Sequence, residues 1–310
     1  MIRIGTRESQ LAVWQARLVQ QQLEAVGVSA ELVYIKSEGD IDLVTPLYSI
    51  GVQGVFTRAL DAALLSGIID VAVHSMKDVP TQMAKGIAQA AVLERAFYGD
   101  VFVPKDDVEF LNDLGSEAVI ATSSVRRRAQ WLRRYPNHSI ENIRGNVNTR
   151  LQRVKENSWK GAIFASAGLE RTGLLPSNAV KLNWMLPAPA QGAIVAVCRQ
   201  SDLETLDLLK PLHHLETGIC VEMERAFLSA LMGGCTAPIS ALALMERGGI
   251  RFRGNVLSAD GKQMLEVDEV VGTENGHQTG YEMGRRVWKN GGEAIIRQIR
   301  DEGIKNDGTK

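Results

Sequence analysis

Runs of four or five apolar residues alternate with stretches of helical periodicity through the first two thirds of the chain, and this alternation constrains the fold most. It is the signature of an α/β architecture with largely parallel sheets. Ile2 to Gly5 reads as a strand, Gln10 to Ala25 as an amphipathic helix stopped by Gly27, and Glu31 to Ile35 as a second strand. Phe56 to Leu65 reads as a helix and Ile69 to Val73 as a third strand. The plan then repeats. Ala118 to Ala121 is a strand, Thr122-Ser123-Ser124 an N-cap cluster, VRRRAQWLRRY a helix, and Gly161 to Ala165 a strand running into SAGLER. Two similar α/β lobes with a ligand cleft between them are expected.

The last third changes character. Leu215 to Met232 reads as one helix with the stripe Ile219, Cys220, Met223, Ala226, Phe227 and Leu231. Alternating strands follow at Ile239 to Leu244, Ile250 to Leu257 and Gln263 to Val271, joined by the hairpin signals Gly248-Gly249 and Asp260-Gly261. A helix from about Gly280 to Ile299 and a frayed tail complete a small α+β domain with a three-stranded antiparallel sheet. A chain of 310 residues exceeds one core. The expected domains are 1–95 with about 194–213, 99–190, and 216–310.

A net charge of −1 gives no general argument for nucleic acid or a membrane, and the longest apolar runs fall far short of the about 20 residues of a spanning helix. The start, MIRIGTRES, lacks the apolar core of a signal peptide, which predicts a cytoplasmic protein. Three cysteines without CxxC spacing favour neither a disulfide framework nor a zinc site.

Charge is concentrated locally. Ile120 to Arg171 holds nine arginines and two lysines against three glutamates, so this window is +8. Arginine binds carboxylate or phosphate with a planar fork, and helix N-termini after strands add free N–H groups. Arg126, Arg127, Arg144, Arg150 and Arg171, set beside Ser, Gly and Asn in turns, are read as an anion pocket, with Arg7 and Ser9 repeating the arrangement in the first lobe. Arg128, Arg133, Arg134 and Arg153 are read as a solvated face. A small polyanion fits this better than DNA, because aromatics for stacking are scarce.

Two motifs add chemistry. In GGCTAPI a glycine pair leaves Cys235 on an unhindered turn, whereas Cys198 and Cys220 fall in a strand and an apolar stripe and read as packing. In DVAVHSMKDVP an apolar strand ends in Lys77 and Asp78, where an acid can stabilise a developing cation or move a proton. His74 reads as a hydrogen-bonded structural histidine. A non-catalytic binding protein would explain the lobes but neither Cys235 nor the third domain. A nucleic-acid binder would rest on the basic window alone.

From Arg3 to roughly Gly292 the chain resembles the hydroxymethylbilane synthase (porphobilinogen deaminase) family. The matches are TRES, DVAVHSMKDVP, ATSSVRRR, RGNVNTR, AGLER, PAQGA, HHLET…ERAF and GGCTAPI, in the family's order and spacing. The resemblance implies two periplasmic-binding-protein-like lobes plus the C-terminal domain. It also implies a transferase of tetrapyrrole (haem, porphyrin) biosynthesis. Four porphobilinogens are deaminated and joined head to tail on a dipyrromethane cofactor, held as a thioether on Cys235, and the linear hydroxymethylbilane is released. Asp78 falls at the catalytic aspartate. Lys77, Ser123, Arg126, Arg127, Arg144, Arg150 and Gln191 fall at cofactor positions, Arg7, Ser9 and Arg171 at substrate positions, and Asp40 at the start of a mobile loop. A monomer passing product to uroporphyrinogen III synthase is also implied, with no metal. The chain departs from the family pattern at Gln53, in Phe97-Tyr98-Gly99-Asp100, at Asn148 and at Ala190.

Overall fold

The computed structural model describes residues 1–36, 57–231 and 237–307, with side chains to residue 301. Asp40, Gln53 and Cys235 lie outside the described residues.

The first lobe begins with β1 (Ile2–Thr6), whose polar exit turns at Ser9 into α1 (Gln10–Ala25). Ser9 is its N-cap, with Oγ accepting from the Ala12 amide at 3.4 Å. The helix buries Ala12, Gln15, Ala16, Val19 and Leu23, a 3.6-residue stripe, against the sheet. β2 (Ala30–Tyr34), α2 (Arg58–Leu65), β3 (Val71–Ser75), a 3₁₀ turn at Met76–Asp78 and β4 (Ile87–Val92) follow. The second lobe comprises β5 (Asp100–Pro104), β6 (Val119–Ala121), α3 (Val125–Arg134), β7 (Ser139–Glu141), α4 (Val147–Glu156), β8 (Gly161–Ala165), α5 (Ser166–Arg171) and β9 (Val180–Lys181). The chain then returns to the first sheet as β10 (Ile194–Arg199), and α6 (Leu203–Leu209) packs beside it.

The two sheets share one plan. Their orders are β2-β1-β3-β10-β4 and β7-β6-β8-β5-β9, and each has three parallel strands followed by two antiparallel pairings. Only half the pairings are therefore parallel, fewer than the alternation of elements predicts. The chain crosses between lobes twice, and each crossing strand, β5 or β10, enters its new sheet from the cleft end and so runs against its neighbours. The crossings, residues 93–99 and 182–193, lie side by side, joined by Leu93 N to Ile194 O at 3.0 Å and Ala96 N to Gly192 O at 3.3 Å. Gly192 has φ 90°, and a Cβ there would sit 2.8 Å from the Ala96 carbonyl oxygen, so only glycine lets the crossings meet.

Asp70, at the start of the DVAVHSMKDVP segment, explains how the first sheet stays aligned. Its carboxylate accepts from Arg3 on β1 at 2.8 Å and from Arg199 on β10 at 3.1 Å, bracketing β3. The Arg3 hydrogen bonds hold it down to about 2 against a partial burial that would raise it.

The C-terminal domain has α7 (Leu215–Ala230), the antiparallel sheet β11 (Ile239–Glu246), β12 (Gly249–Leu257) and β13 (Met264–Val271), then α8 (Gly276–Val287) and α9 (Glu293–Asp307). Gly284 has no room for a Cβ, which would lie 2.6 Å from that of Ala230, so small residues let α8 close on α7. The single helix read over Gly280 to Ile299 is two helices. Their 3.6-residue pattern continues across a break at Gly291, where φ is 118°. Helical backbone also continues to Asp307, into the segment read as a frayed tail. Among the described residues no helix is long and apolar enough to cross a membrane.

Candidate active site

Six segments meet because the ends of parallel strands in both sheets open toward one crevice. The segments after β1, β2 and β3 come from the first lobe, and those after β6, β7 and β8 from the second. Together with residues of the 182–193 crossing they line a cavity of about 880 Å³. Leu228, Ala237 and Ile239 of the C-terminal domain close one side of it. Among the described residues, eight cationic side chains line the cavity against two carboxylates, Glu8 and Asp78.

The lining contains Arg7, Ser9, Lys77, Asp78, Ser123, Arg126, Arg127, Arg144, Arg150, Arg171 and Gln191, every described site residue read from the sequence. Their situations differ. Asp78 is exposed at the end of the 3₁₀ turn, close enough to Lys77 and Arg150 for its charge to act on both. Desolvation lowers the Lys77 ammonium to about 8, opposed by Asp78 and reinforced by Arg127. Its Nζ lies 3.5 Å from Gln191 Oε1. Burial lowers Arg150 to about 10, helped by Arg127 and Arg144, and burial likewise lowers Arg171 to about 10 against Glu170. A depressed cation is one that has lost water without gaining a full counter-charge, so an incoming carboxylate is bound the more strongly. Arg150 donates from Nε to the Gly145 carbonyl at 2.7 Å, which fixes its side chain at the cavity lining.

Arg126 and Arg127 lie on α3, capped by Ser124, but their guanidinium groups are already engaged. Both reach Asp100 at 2.7 Å; Arg126 also donates to Leu186 O at 2.6 Å and Arg127 to Ile163 O at 3.0 Å. Gln191 adds Nε2 to Asp100 Oδ1 at 2.9 Å. Desolvation would raise the Asp100 carboxyl, yet the two arginines outweigh it and hold it well below the ordinary carboxylate range. The pair is therefore one shared, buried unit of net +1 instead of two open forks. Ser123 is similarly occupied, its Oγ donating to Ile143 O at 2.8 Å and accepting from Ile143 N at 2.9 Å. Arg171 donates from Nη2 to Gly192 O at 2.7 Å and stacks on Trp14 of the other lobe, 5.5 Å from its ring centre, while its buried Nε has no hydrogen-bond partner among the described residues. Asn148, a departure from the family pattern, bonds Gln10 across the lobes at 3.0 Å.

His74 takes the structural place expected of it. It is buried on β3, but its Nε2 has no hydrogen-bond partner among the described residues. Burial, and secondarily the Arg7 charge, lower the ring to about 4. A free imidazole protonates near 6.5, so the neutral ring supports folding above that pH and the support drains away as pH falls toward 4, by about 3 kcal/mol at the limit. Urea midpoints should therefore fall more steeply between pH 7 and pH 4 in the parent protein than in His74→Gln; parallel curves would refute this. His74→Gln keeps the other acid-sensitive groups, including His138, as an internal background. Ser75, next in the strand, accepts from Gln15 Nε2 of α1 at 2.8 Å. Cys198 and Cys220 are buried, and desolvation pushes both thiols up to about 11, as packing residues require.

The sequence reading missed Asp100, Arg95 and Glu224. Arg95, on the first crossing, donates to both oxygens of Glu224 on α7, at 2.6 and 3.1 Å, and to Gln191 O at 2.8 Å. Glu224 is fully buried and also accepts from the amides of Ala190 and Ala243, at 2.6 and 2.7 Å. Ala190 takes φ 61°, a left-handed conformation that presents its N–H to that carboxylate. The signal available was a glutamate among the apolar residues of α7.

Comparison with known proteins agrees with this geometry. The family description "Porphobilinogen deaminase, dipyromethane cofactor binding domain" matches residues 2–207, and "Porphobilinogen deaminase, C-terminal domain" matches residues 218–289. The porphobilinogen deaminase of Syntrophomonas wolfei is 38% identical over 303 residues, covering 96% of this chain and 99% of that one. That of Listeria welshimeri is 39% identical over 308 residues, covering 97% and 99%. Among solved structures, the methionine-binding protein MetQ aligns with a TM-score of 0.43 at 12% identity, over 68% of this chain and 89% of that chain. A periplasmic substrate-binding protein of Coxiella burnetii aligns with a TM-score of 0.42 at 15% identity, over 68% and 91%. The two-lobed architecture rests on the sheet orders themselves. A cationic cleft between paired lobes and matches to both domains over nearly the whole chain lead to one conclusion: the chain belongs to the porphobilinogen deaminase family.

Proposed function

We propose that this cavity is where the chain acts as a hydroxymethylbilane synthase, with Asp78 as the group that handles charge and protons. The reaction deaminates four porphobilinogens and joins them head to tail, losing one ammonia with each, and water releases the linear product as hydroxymethylbilane. The observation that carries the residue assignment is the place of Asp78, an exposed carboxylate of the lining whose charge acts on two desolvated cations, Lys77 and Arg150. Each pyrrole brings an acetate and a propionate, so the growing chain needs the cationic lining. Loss of ammonia leaves an electron-poor azafulvene, which Asp78 stabilises at short range, and the same carboxylate accepts and returns the pyrrole N–H proton.

The residues fit the dipyrromethane group. Its carboxylates would meet Lys77 from the first lobe and Arg144, Arg150 and the shared Arg126–Arg127–Asp100 unit from the second, and the unsatisfied, buried Nε of Arg171 indicates unmet demand for an acceptor. When bound, the group supplies the terminal pyrrole carbon that is extended. Cys235 is its attachment point in this reading. Arg7, Ser9 and Arg171 receive the incoming substrate, while Gln191 and Ser123 hold the wall, the first through Asp100 and the second through Ile143. A covalent tether makes each condensation effectively intramolecular.

We take residues 1–95 with 194–213, 99–190 and 216–310 as the three domains. The reading also places a monomeric enzyme in the cytoplasm, its product passing to uroporphyrinogen III synthase. Intact-protein mass tests the assignment. Protein produced with porphobilinogen available carries the added mass of two pyrroles, and Cys235→Ser does not. An unmodified, inactive parent protein would sink the proposal.

A further inference from the structure

We propose that Arg225, a residue of the C-terminal domain that does not line the cavity, is a positioning residue that sets where Asp78 stands. The inference rests on the reading of Asp78 above. Arg225 sits on α7 beside Glu224 but points to the first lobe. Its Nη1 donates to the carbonyls of Met76 at 3.3 Å and Val79 at 2.9 Å, and its Nη2 to that of Pro80 at 2.6 Å. These three carbonyls bracket Lys77 and Asp78 in the chain.

The turn needs such a partner. A 3₁₀ turn of three residues leaves its last carbonyls without helical donors, and Pro80 brings no N–H of its own. Within the turn there is the bond from Val79 N to Met76 O, at 3.2 Å. Asp78 is exposed, so its place over the cavity is fixed by the backbone that carries it. A guanidinium is suited to the task because its donors form a rigid planar fork, and one group can gather carbonyls pointing in different directions. Burial lowers Arg225, the mark of a cation removed from water and held by carbonyl dipoles. Arg225 is absent from the cavity lining, so it acts on the reaction through the turn and not by touching substrate.

The geometry also joins two parts of the reaction. The helix that leads toward Cys235 is the helix that holds the turn of Asp78, so the attachment domain and the acid–base group share one strut.

The test is a double-mutant cycle on holoenzyme whose adduct is verified by mass: Arg225→Met and Arg225→Lys, alone and combined with Asp78→Asn. Turnover is followed as single-turnover consumption of porphobilinogen. Arg225→Met is expected to lower kcat roughly 10- to 100-fold, the cost of misplacing a reacting group by about 1 Å. KM stays within about twofold, because no substrate contact is removed. Arg225→Lys recovers part of the loss. In the Asp78→Asn background, Arg225→Met costs little further rate, since the group it positions is gone. An equal loss in both backgrounds overturns the inference and leaves the reading of Asp78 standing. Near-normal rates in Asp78→Asn alone sink that reading and the inference with it. If Arg225→Met does not accumulate as folded protein, the same comparison is made with Arg225→Lys, and equal losses in both backgrounds overturn the inference in the same way.

Discussion

Asp78→Asn retains the covalent adduct and loses turnover by about 10² to 10⁴, as expected when a charged acid–base group is replaced by a neutral isostere. The amide preserves shape, so the turn at Met76–Asp78 and its ties to Arg225 remain. What disappears is charge. Of the two carboxylates among the described lining residues, only Glu8 is left against eight cations, and a cation developing on the substrate then forms beside Lys77 and Arg150 without compensation. Proton acceptance fails in the same step. Single-turnover porphobilinogen consumption with adduct mass as a control measures both halves of the prediction. A variant that turns over near the parental rate, or that never acquires the adduct, would refute it.

Glu224→Ala has the largest expected effect on folding. It destabilises the protein by about 3–5 kcal/mol, because it leaves Arg95 as an unpaired charge whose side chain is only 8% exposed. The amides of Ala190 and Ala243 lose their acceptor as well. Glu224→Gln keeps an acceptor oxygen and costs less. Arg95→Met combined with Glu224→Met is less damaging than Glu224→Met alone, since removing both charges avoids the uncompensated one. Urea or thermal unfolding of the four variants measures the order. If Glu224→Ala unfolds within about 1 kcal/mol of the parent protein, the buried pair is not what joins α7 to the crossings.

The site was legible in the sequence wherever its chemistry is local. A strand, a polar exit and a helix cap lie within ten residues of one another, so Arg7, Ser9, Asp78, Ser123 and Arg126 could be assigned to strand ends from short words such as TRES and ATSSVRRR. The hidden part consists of residues that meet only because the chain crosses between lobes. Asp100 opens β5, Gln191 lies on the second crossing, and they are 91 positions apart. Arg95 and Glu224 are 129 apart. No period links such pairs. The direction of β5 and β10 was hidden for the same reason, because an apolar run of five or six residues states that a strand exists but not which way it enters its sheet. The break at Gly291 was concealed by a helical pattern that resumes in phase after it.

The double crossing also governs how the cleft makes room. A single flexible connection would let the lobes twist, swing and slide. Two connections lying side by side, bonded at Leu93–Ile194 and Ala96–Gly192, suppress twist and sliding and leave bending about one axis as the soft coordinate. The space offered to a lengthening product is then set by one opening angle, as with the covers of a book. The axis runs past Gln191, the turn bearing Asp78 is tied to it by Met76 N to Ala193 O at 3.0 Å, and Arg126 and Arg127 reach it through Asp100, so bending about the spine displaces these groups least. A processive enzyme can in this way enlarge its cavity without displacing its chemistry.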